Sequence, residues 1–142
     1  MSHPTRILAV NQNRILREGI CSFIGMQPDM ELVASAEDAD TAVNLFAGAL
    51  PDLTLMDLDL PDRNGVNAIH RIRAIDPYAW VIGLVTYDWD KCGREAMEAG
   101  ASAILAKDRI GETLLPLIRA RQDNAGSYEI PMALELSDLR LK

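Results

Sequence analysis

Asp52-Leu-Thr-Leu-Met-Asp57, followed by Leu58-Asp-Leu-Pro-Asp-Arg-Asn-Gly65, is the stretch that decides the fold of this chain. Leu53–Met56 has no polar alternation beyond Thr54, which is typical of a central strand covered on both faces. Asp57 then places a carboxylate at the carboxyl end of that strand, where open α/β sheets carry their chemistry. Such a carboxylate can attack phosphorus if a cation neutralises the developing charge.

Outward from this strand, apolar runs alternate with helical patterns along the chain. This alternation predicts a parallel sheet with right-handed crossovers and helices on both faces. We expect a single flavodoxin-like (βα)5 domain, a doubly wound α/β fold with strand order 2-1-3-4-5. The predicted strands are Ile7–Val10, Glu31–Ala36, Leu53–Met56, Trp80–Val85 and Ala103–Ala106. The predicted helices are Ile15–Met26, Asp38–Leu50, Gly65–Ile75, Asp88–Ala99 and Gly111–Arg121.

The composition limits the classes of function. The 142 residues are 49% hydrophobic and carry a formal charge of −7, with the basic residues in scattered pairs. Phosphate contacts need clustered Lys and Arg, so we do not expect this chain to bind DNA by itself. No apolar run approaches about 20 residues, which predicts no membrane span. The two cysteines follow no signal peptide, which favours reduced thiols and a cytoplasmic location.

The pattern changes after Arg121. We predict a domain over residues 1–121 and a linker or tail over residues 122–142, because Gln122–Ser127 has the composition of a linker. Pro131–Leu141 spaces its apolar residues at roughly helical intervals, and we expect a short helix that leads to an output domain outside this sequence. Pro116 falls inside the last predicted helix and should kink its first turns unless it lies very near the start.

Several motifs together give this chain a family resemblance. The segment Arg6–Arg121 resembles the receiver domain of bacterial two-component response regulators, and parts of it look like the subfamily with a LuxR-type output. The motifs are Leu55–Pro61 with Gly65, Glu98–Ala101, Lys107-Asp108, Leu16–Gly19 and Thr86–Asp88.

The resemblance implies roles for individual residues. In such domains the residue matching Asp57 accepts a phosphoryl group from a histidine kinase, and the lysine matching Lys107 pairs with the phosphoryl oxygens. Mg²⁺ bridges the phosphoacceptor to a pair of acids after the first strand and to the backbone carbonyl that is here Asp59. In this chain the two acid positions hold Asn11 and Gln12.

The positions that relay the signal in this family are also altered. A hydroxyl residue that ends strand four hydrogen-bonds the phosphoryl group, and an aromatic residue on strand five follows its movement. Counting back from Lys107 places the hydroxyl position at Val85, with Thr86 one residue later, and the aromatic position at Ile104. Val85 cannot donate a hydrogen bond. Thr86 could substitute only through a one-residue shift that reverses the faces of the strand.

These differences predict a weak Mg²⁺ site or none. Mg²⁺ is usually held by one or two carboxylates plus waters, whereas Asn11 and Gln12 offer no charge. Of the metal ligands that the resemblance implies, this chain keeps Asp57 and the backbone carbonyl of Asp59. They would act as ligands only if Mg²⁺ binds. The carboxylate of Asp59 could replace a missing ligand, but strand alternation predicts that it points to solvent. We expect an ion pair between Asp57 and Lys107, which could hold an active-like state.

Three functions remain open from the sequence. The first is an atypical, non-enzymatic receiver that acts through dimerisation or other protein contacts, with little or no dependence on phosphorylation. Its expected partners are a second copy and, by resemblance, a histidine kinase, with DNA reached only through an output domain. The second is a working receiver phosphorylated at Asp57. The third is a phosphatase-like enzyme in which Asp57 is the nucleophile and Asp59 the acid/base.

Overall fold

The computed structural model describes residues 3–61, 64–86 and 89–123. Five parallel strands form one sheet in the order β2-β1-β3-β4-β5, which confirms the predicted topology. The strands are β1 (Thr5–Val10), β2 (Met30–Ala36), β3 (Leu53–Asp57), β4 (Trp80–Val85) and β5 (Ala103–Ala106). The helices are α1 (Arg14–Gly25), α2 (Ala39–Ala49), α3 (Asn64–Ile75), α4 (Trp89–Ala99) and α5 (Ile110–Asp123).

Alternation along the strands divides the core into two layers. Ile7 and Ala9 face the layer beneath α1 and α5, whereas Leu8 and Val10 face the layer beneath α2, α3 and α4. β3 and β4 are buried at every position, as the uninterrupted apolar run of β3 predicts for a strand covered on both sides. The aliphatic core therefore fixes the relative positions of the strand ends.

Local sequence sets the ends of several helices. The side chains of Asn13 and Asp38 cap α1 and α2, accepting hydrogen bonds from the backbone N–H groups of Leu16 and Thr41. Gly100 ends α4 with a φ of +122°, and its N–H donates to the carbonyl of Ala96 at 3.0 Å. This conformation favours glycine, so Gly100 suits the end of α4.

Gly65 allows α3 to begin very close to the end of β3. A Cβ at this position would collide with the carbonyl oxygen of Asp57 and approach Leu58 Cα to 2.9 Å. Any other residue would therefore push α3 away from the strand that carries Asp57.

The last helix extends further than predicted. α5 runs two residues past Arg121 to Asp123 and continues through Pro116, so the proline does not break it. Gln122, which was expected in the linker, is helical, and its Nε2 donates to Thr5 Oγ1 at 2.6 Å. The domain boundary at 121/122 stays a prediction, and the predicted helix at Pro131–Leu141 lies outside the described residues. No helix in the described ranges has the length and apolar character needed to cross a membrane.

Candidate functional site

Asp57 occupies the centre of a cluster at the carboxyl edge of the sheet. It is the last residue of β3, and its side chain is fully buried. Its Oδ1 accepts hydrogen bonds from Asp59 N at 2.8 Å and Lys107 Nζ at 2.7 Å, and its Oδ2 accepts one from Gln12 N at 3.3 Å. Val10 pairs with Met56 across β1 and β3, and this register brings the residues that follow β1 beside Asp57.

Lys107 joins the two carboxylates of the site. It follows β5 directly, and its ammonium lies 2.7 Å from Asp57 Oδ1 and 2.9 Å from Asp59 Oδ2. Burial lowers the pKa of Lys107, but hydrogen bonds to the two carboxylates outweigh burial and leave the pKa above its ordinary value. The predicted ion pair between Asp57 and Lys107 is present, and Lys107 stays charged at neutral pH.

The expectation that the Asp59 carboxylate points to solvent is wrong. Its Oδ2 accepts a hydrogen bond from Thr86 N at 2.9 Å and pairs with Lys107, while the side chain is 31% exposed. The expectation assumed strand alternation, but β3 ends at Asp57 and a turn begins at Leu58. Burial raises the pKa of Asp59, yet the hydrogen bonds from Lys107 and Thr86 hold that pKa below its usual range.

The two amide residues after β1 take different positions. Asn11 is buried, and its Oδ1 accepts a hydrogen bond from Asn13 N at 2.9 Å. Because that bond fixes the orientation of the amide, its Nδ2 is a buried donor that has no hydrogen-bond partner within the described part of the chain. Gln12 is exposed, but its Nε2 donates to the backbone carbonyl of Asp59 at 2.7 Å.

This arrangement does not suit a Mg²⁺ ion, which needs oxygen ligands and usually carboxylates. The amide of Gln12 already hydrogen-bonds the Asp59 carbonyl that the family resemblance assigns to the metal. Asn11 contributes a buried N–H donor instead of a second anionic acceptor. Across residues 3–61, 64–86 and 89–123, no group of three or more His, Cys, Asp or Glu side chains could hold a metal ion.

The relay positions lie on two strands beside this cluster. Val85 and Ile104 are both 1% exposed and belong to the same core layer. Ile104 is opposite Gly83, where a Cβ would come within 3.0 Å of the Ile104 Cδ1 atom. Thr86 is exposed and enters the site through its backbone N–H. The strand keeps its register up to Val85, which pairs with Ala106.

Sequence comparison identifies the family to which this architecture belongs. Residues 7–119 match the response regulator receiver domain. The chain belongs to this family. It is a receiver domain of the kind found in response regulators of signal transduction and transcription regulation.

Individual relatives agree with this assignment. A crystal structure of a two-component response regulator of the LuxR family from Aurantimonas sp. SI85-9A1 is 31% identical, with a TM-score of 0.79, and the match covers 98% of this chain and 99% of that one. The transcriptional regulatory protein DegU of Brevibacillus brevis is 30% identical over 80% of this chain and 48% of its own length. The nitrate/nitrite response regulator NarL of Escherichia coli K12 is 28% identical over 92% of this chain and 60% of its own. The chain thus spans roughly half of the length of these curated relatives.

Two contacts of the site were not anticipated from the sequence. These are the inward carboxylate of Asp59 and the amide of Gln12 on the Asp59 carbonyl. The only signal for the first was the spacing Asp57-Leu58-Asp59 before a turn. The second depends on the path of the loop between β3 and α3, which residue spacing does not determine.

Proposed function

We propose that this receiver domain signals through protein contacts, without phosphorylation of Asp57 and without bound Mg²⁺. The observation that carries the proposal is the 2.7 Å hydrogen bond from Gln12 Nε2 to the carbonyl of Asp59. A cation and an N–H donor compete for the lone pairs of the same oxygen. The Gln12 amide occupies one of the two lone pairs of this carbonyl, repels a cation beside it, and supplies no negative charge.

The surroundings of Asp57 support the same proposal. Its buried carboxylate already accepts hydrogen bonds from Lys107, Asp59 and Gln12. Hydrogen bonds to its oxygens draw electron density from this carboxylate, and the oxygen that attacks phosphorus has to give up part of this bonding. Without a metal, the charge on the transferring phosphoryl oxygens is left mainly to Lys107.

The partners follow from the relatives, whose names describe transcriptional regulators longer than this chain. We propose that the domain forms a homodimer and positions an output domain, through which the whole protein reaches DNA in the cytoplasm. The candidate dimer faces are α4, β5 and α5, or α1 and α5. Binding of a histidine kinase remains to be tested. Under this proposal the domain does not need a phosphoryl group from it.

The second candidate is a receiver that still accepts a phosphoryl group on Asp57. The observation in its favour is the convergence of Asp57, Asp59 and Lys107, because the carboxylate of Asp59 brings a second negative charge to the place where a metal is needed. Under this alternative Asp59 replaces one of the acids lost at Asn11 and Gln12, and Mg²⁺ affinity is weakened but retained.

A phosphatase-like activity is less well supported. It would use Asp57 as nucleophile and Asp59 as the acid that protonates the leaving group. Asp59 is paired with Lys107 and bonded by Thr86 N, and its pKa lies below the ordinary value despite the opposing effect of burial. At neutral pH it therefore carries no proton to donate.

Intact-mass measurement separates the first two candidates. The wild-type chain is incubated with acetyl phosphate and Mg²⁺ beside Asp57→Ala as the control that lacks the acceptor. We expect no phosphoryl adduct on either protein. A stoichiometric, acid-labile adduct on the wild type that Asp57→Ala lacks would contradict the proposal and favour the second candidate. Turnover of a phosphomonoester would instead favour the phosphatase.

A further inference from the structure

One oxygen of Asp59 contacts two donors, each of which directly follows a different strand. Asp59 Oδ2 lies 2.9 Å from Lys107 Nζ, directly after β5, and accepts a hydrogen bond of 2.9 Å from Thr86 N, directly after β4. An ammonium and a backbone N–H that converge on one point form a binding place for an anionic oxygen. In this chain the oxygen comes from the protein itself.

We propose that the Asp59 carboxylate is the resident anion of the site formed by Lys107 and the Thr86 N–H, where it takes the place of an external oxyanion. This inference rests on the proposed function, because a site that is never phosphorylated offers the Thr86 N–H and Lys107 no external oxyanion to bind together. Asp59 is thus a positioning residue that joins the ends of β4 and β5.

Charge balance shows that Lys107 does not need Asp59. Asp57 alone neutralises the ammonium at 2.7 Å, so the second carboxylate leaves the three groups with one excess negative charge. The Asp59 side chain is 31% exposed and could turn to solvent without leaving Asp57 or Lys107 unpaired. Its inward orientation is explained by the gain of two charge-assisted hydrogen bonds. One of them satisfies Thr86 N, for which the described residues offer no other acceptor.

The consequence concerns the start of the segment between β4 and α4. Thr86 is the first residue after β4, and its backbone is tied to Lys107 through a single carboxylate. The position of this junction is therefore set by a residue that is always present. In a receiver that responds to phosphorylation, by contrast, the anion beside the corresponding lysine is present only while the domain is phosphorylated.

The test follows the backbone amide of Thr86 by nuclear magnetic resonance in ¹⁵N-labelled protein without Mg²⁺ or acetyl phosphate. In Asp59→Ala the Thr86 resonance should shift and its amide exchange should accelerate by about tenfold or more, as expected for loss of one charge-assisted hydrogen bond. Asp59→Asn should give a smaller change, because its amide oxygen still accepts from Thr86 N but offers no charge to Lys107. Asp40→Asn is the matched control, since it removes the acid of the exposed ion pair with Arg71.

Inorganic phosphate then probes the emptied site. It should return the Thr86 resonance of Asp59→Ala towards its wild-type position in a saturable way and leave the wild type unchanged. Asp57→Asn/Asp59→Ala should bind phosphate more tightly than Asp59→Ala, because one repelling carboxylate fewer faces the anion. An unchanged Thr86 amide in both Asp59 variants, or an equal phosphate response in the wild type, would overturn the inference. Phosphorylation of wild-type Asp57 in the acetyl phosphate experiment would contradict the proposed function but not this inference. The Thr86 resonances are measured without acetyl phosphate and therefore test the inference separately.

Discussion

Restoring the two acids after β1 should give this domain a Mg²⁺ site, which our proposal holds to be absent from the wild type. The variant is Asn11→Asp/Gln12→Asp, which removes the amide that now donates to the Asp59 carbonyl. It also replaces the buried, unpartnered Nδ2 of Asn11 with an acceptor. Both changes convert donors into the oxygen ligands that Mg²⁺ prefers.

The size of the effect follows from the charges of the site. Asp57, Asp59 and Lys107 together carry one net negative charge, which repels each new carboxylate. At an effective dielectric constant of about 20 and a separation of about 6 Å, the acid buried at position 11 costs about 3 kcal/mol of folding free energy without metal, whereas solvent screens the acid at the exposed position 12 and lowers its cost. Mg²⁺ at 100 times its dissociation constant adds about 2.7 kcal/mol to the free energy of unfolding. This gain corresponds to a rise in melting temperature of roughly 10 °C.

The assay is thermal unfolding with and without Mg²⁺ at constant ionic strength. We expect the double variant to melt below the wild type in chelator and to regain part of this loss with Mg²⁺, whereas the wild type does not respond. Asn44→Asp, which adds a carboxylate on the exposed face of α2, controls for nonspecific binding of the cation to an acidic protein. An equal Mg²⁺ response in the wild type, or a destabilised variant that Mg²⁺ does not restore, would refute the reasoning about Asn11 and Gln12.

Two further predictions concern stability. Gly83→Ala should lower the free energy of unfolding by about 1–3 kcal/mol in urea titrations, because the added Cβ would meet Leu58 Cδ1 at 2.9 Å and Ile104 Cδ1 at 3.0 Å; unchanged stability would mean that these side chains move aside freely. Arg119 lies 3.0 Å from Asp29, and its hydrogen bonds hold the pKa of Asp29 below the usual range. The pair should therefore stabilise the fold above the unfolded-state pKa of about 4 and lose its effect as pH falls through the depressed folded-state pKa. Both side chains are about 40% exposed, so Asp29→Asn should cost at most about 1 kcal/mol at pH 7 and nothing at pH 2, and an equal loss at both would contradict this assignment.

The framework of the site could be predicted because it depends on patterns that are local in the chain. Each strand is a short apolar run between helical patterns, and parallel strands bring their carboxyl ends to one edge of a sheet. Asp57 ends one such strand and Lys107 follows another, and the family resemblance predicted that they pair, as they do at 2.7 Å. The boundaries were less accurate: Gln122 belongs to α5, where its side chain bonds Thr5, a contact between distant parts of the sequence that no local pattern reveals.

The sequence by itself determined the fold class, the family and the loss of acidic charge at Asn11 and Gln12. Residue identity is enough for these, because hydrophobic periodicity selects the elements and a side-chain amide carries no charge. Only the tertiary structure decided that Gln12 bonds the Asp59 carbonyl and that the Asp59 carboxylate turns towards Lys107 and Thr86. These contacts join three chain segments through a turn in which strand alternation has ended, so side-chain direction there depends on where the donors of the neighbouring strands lie.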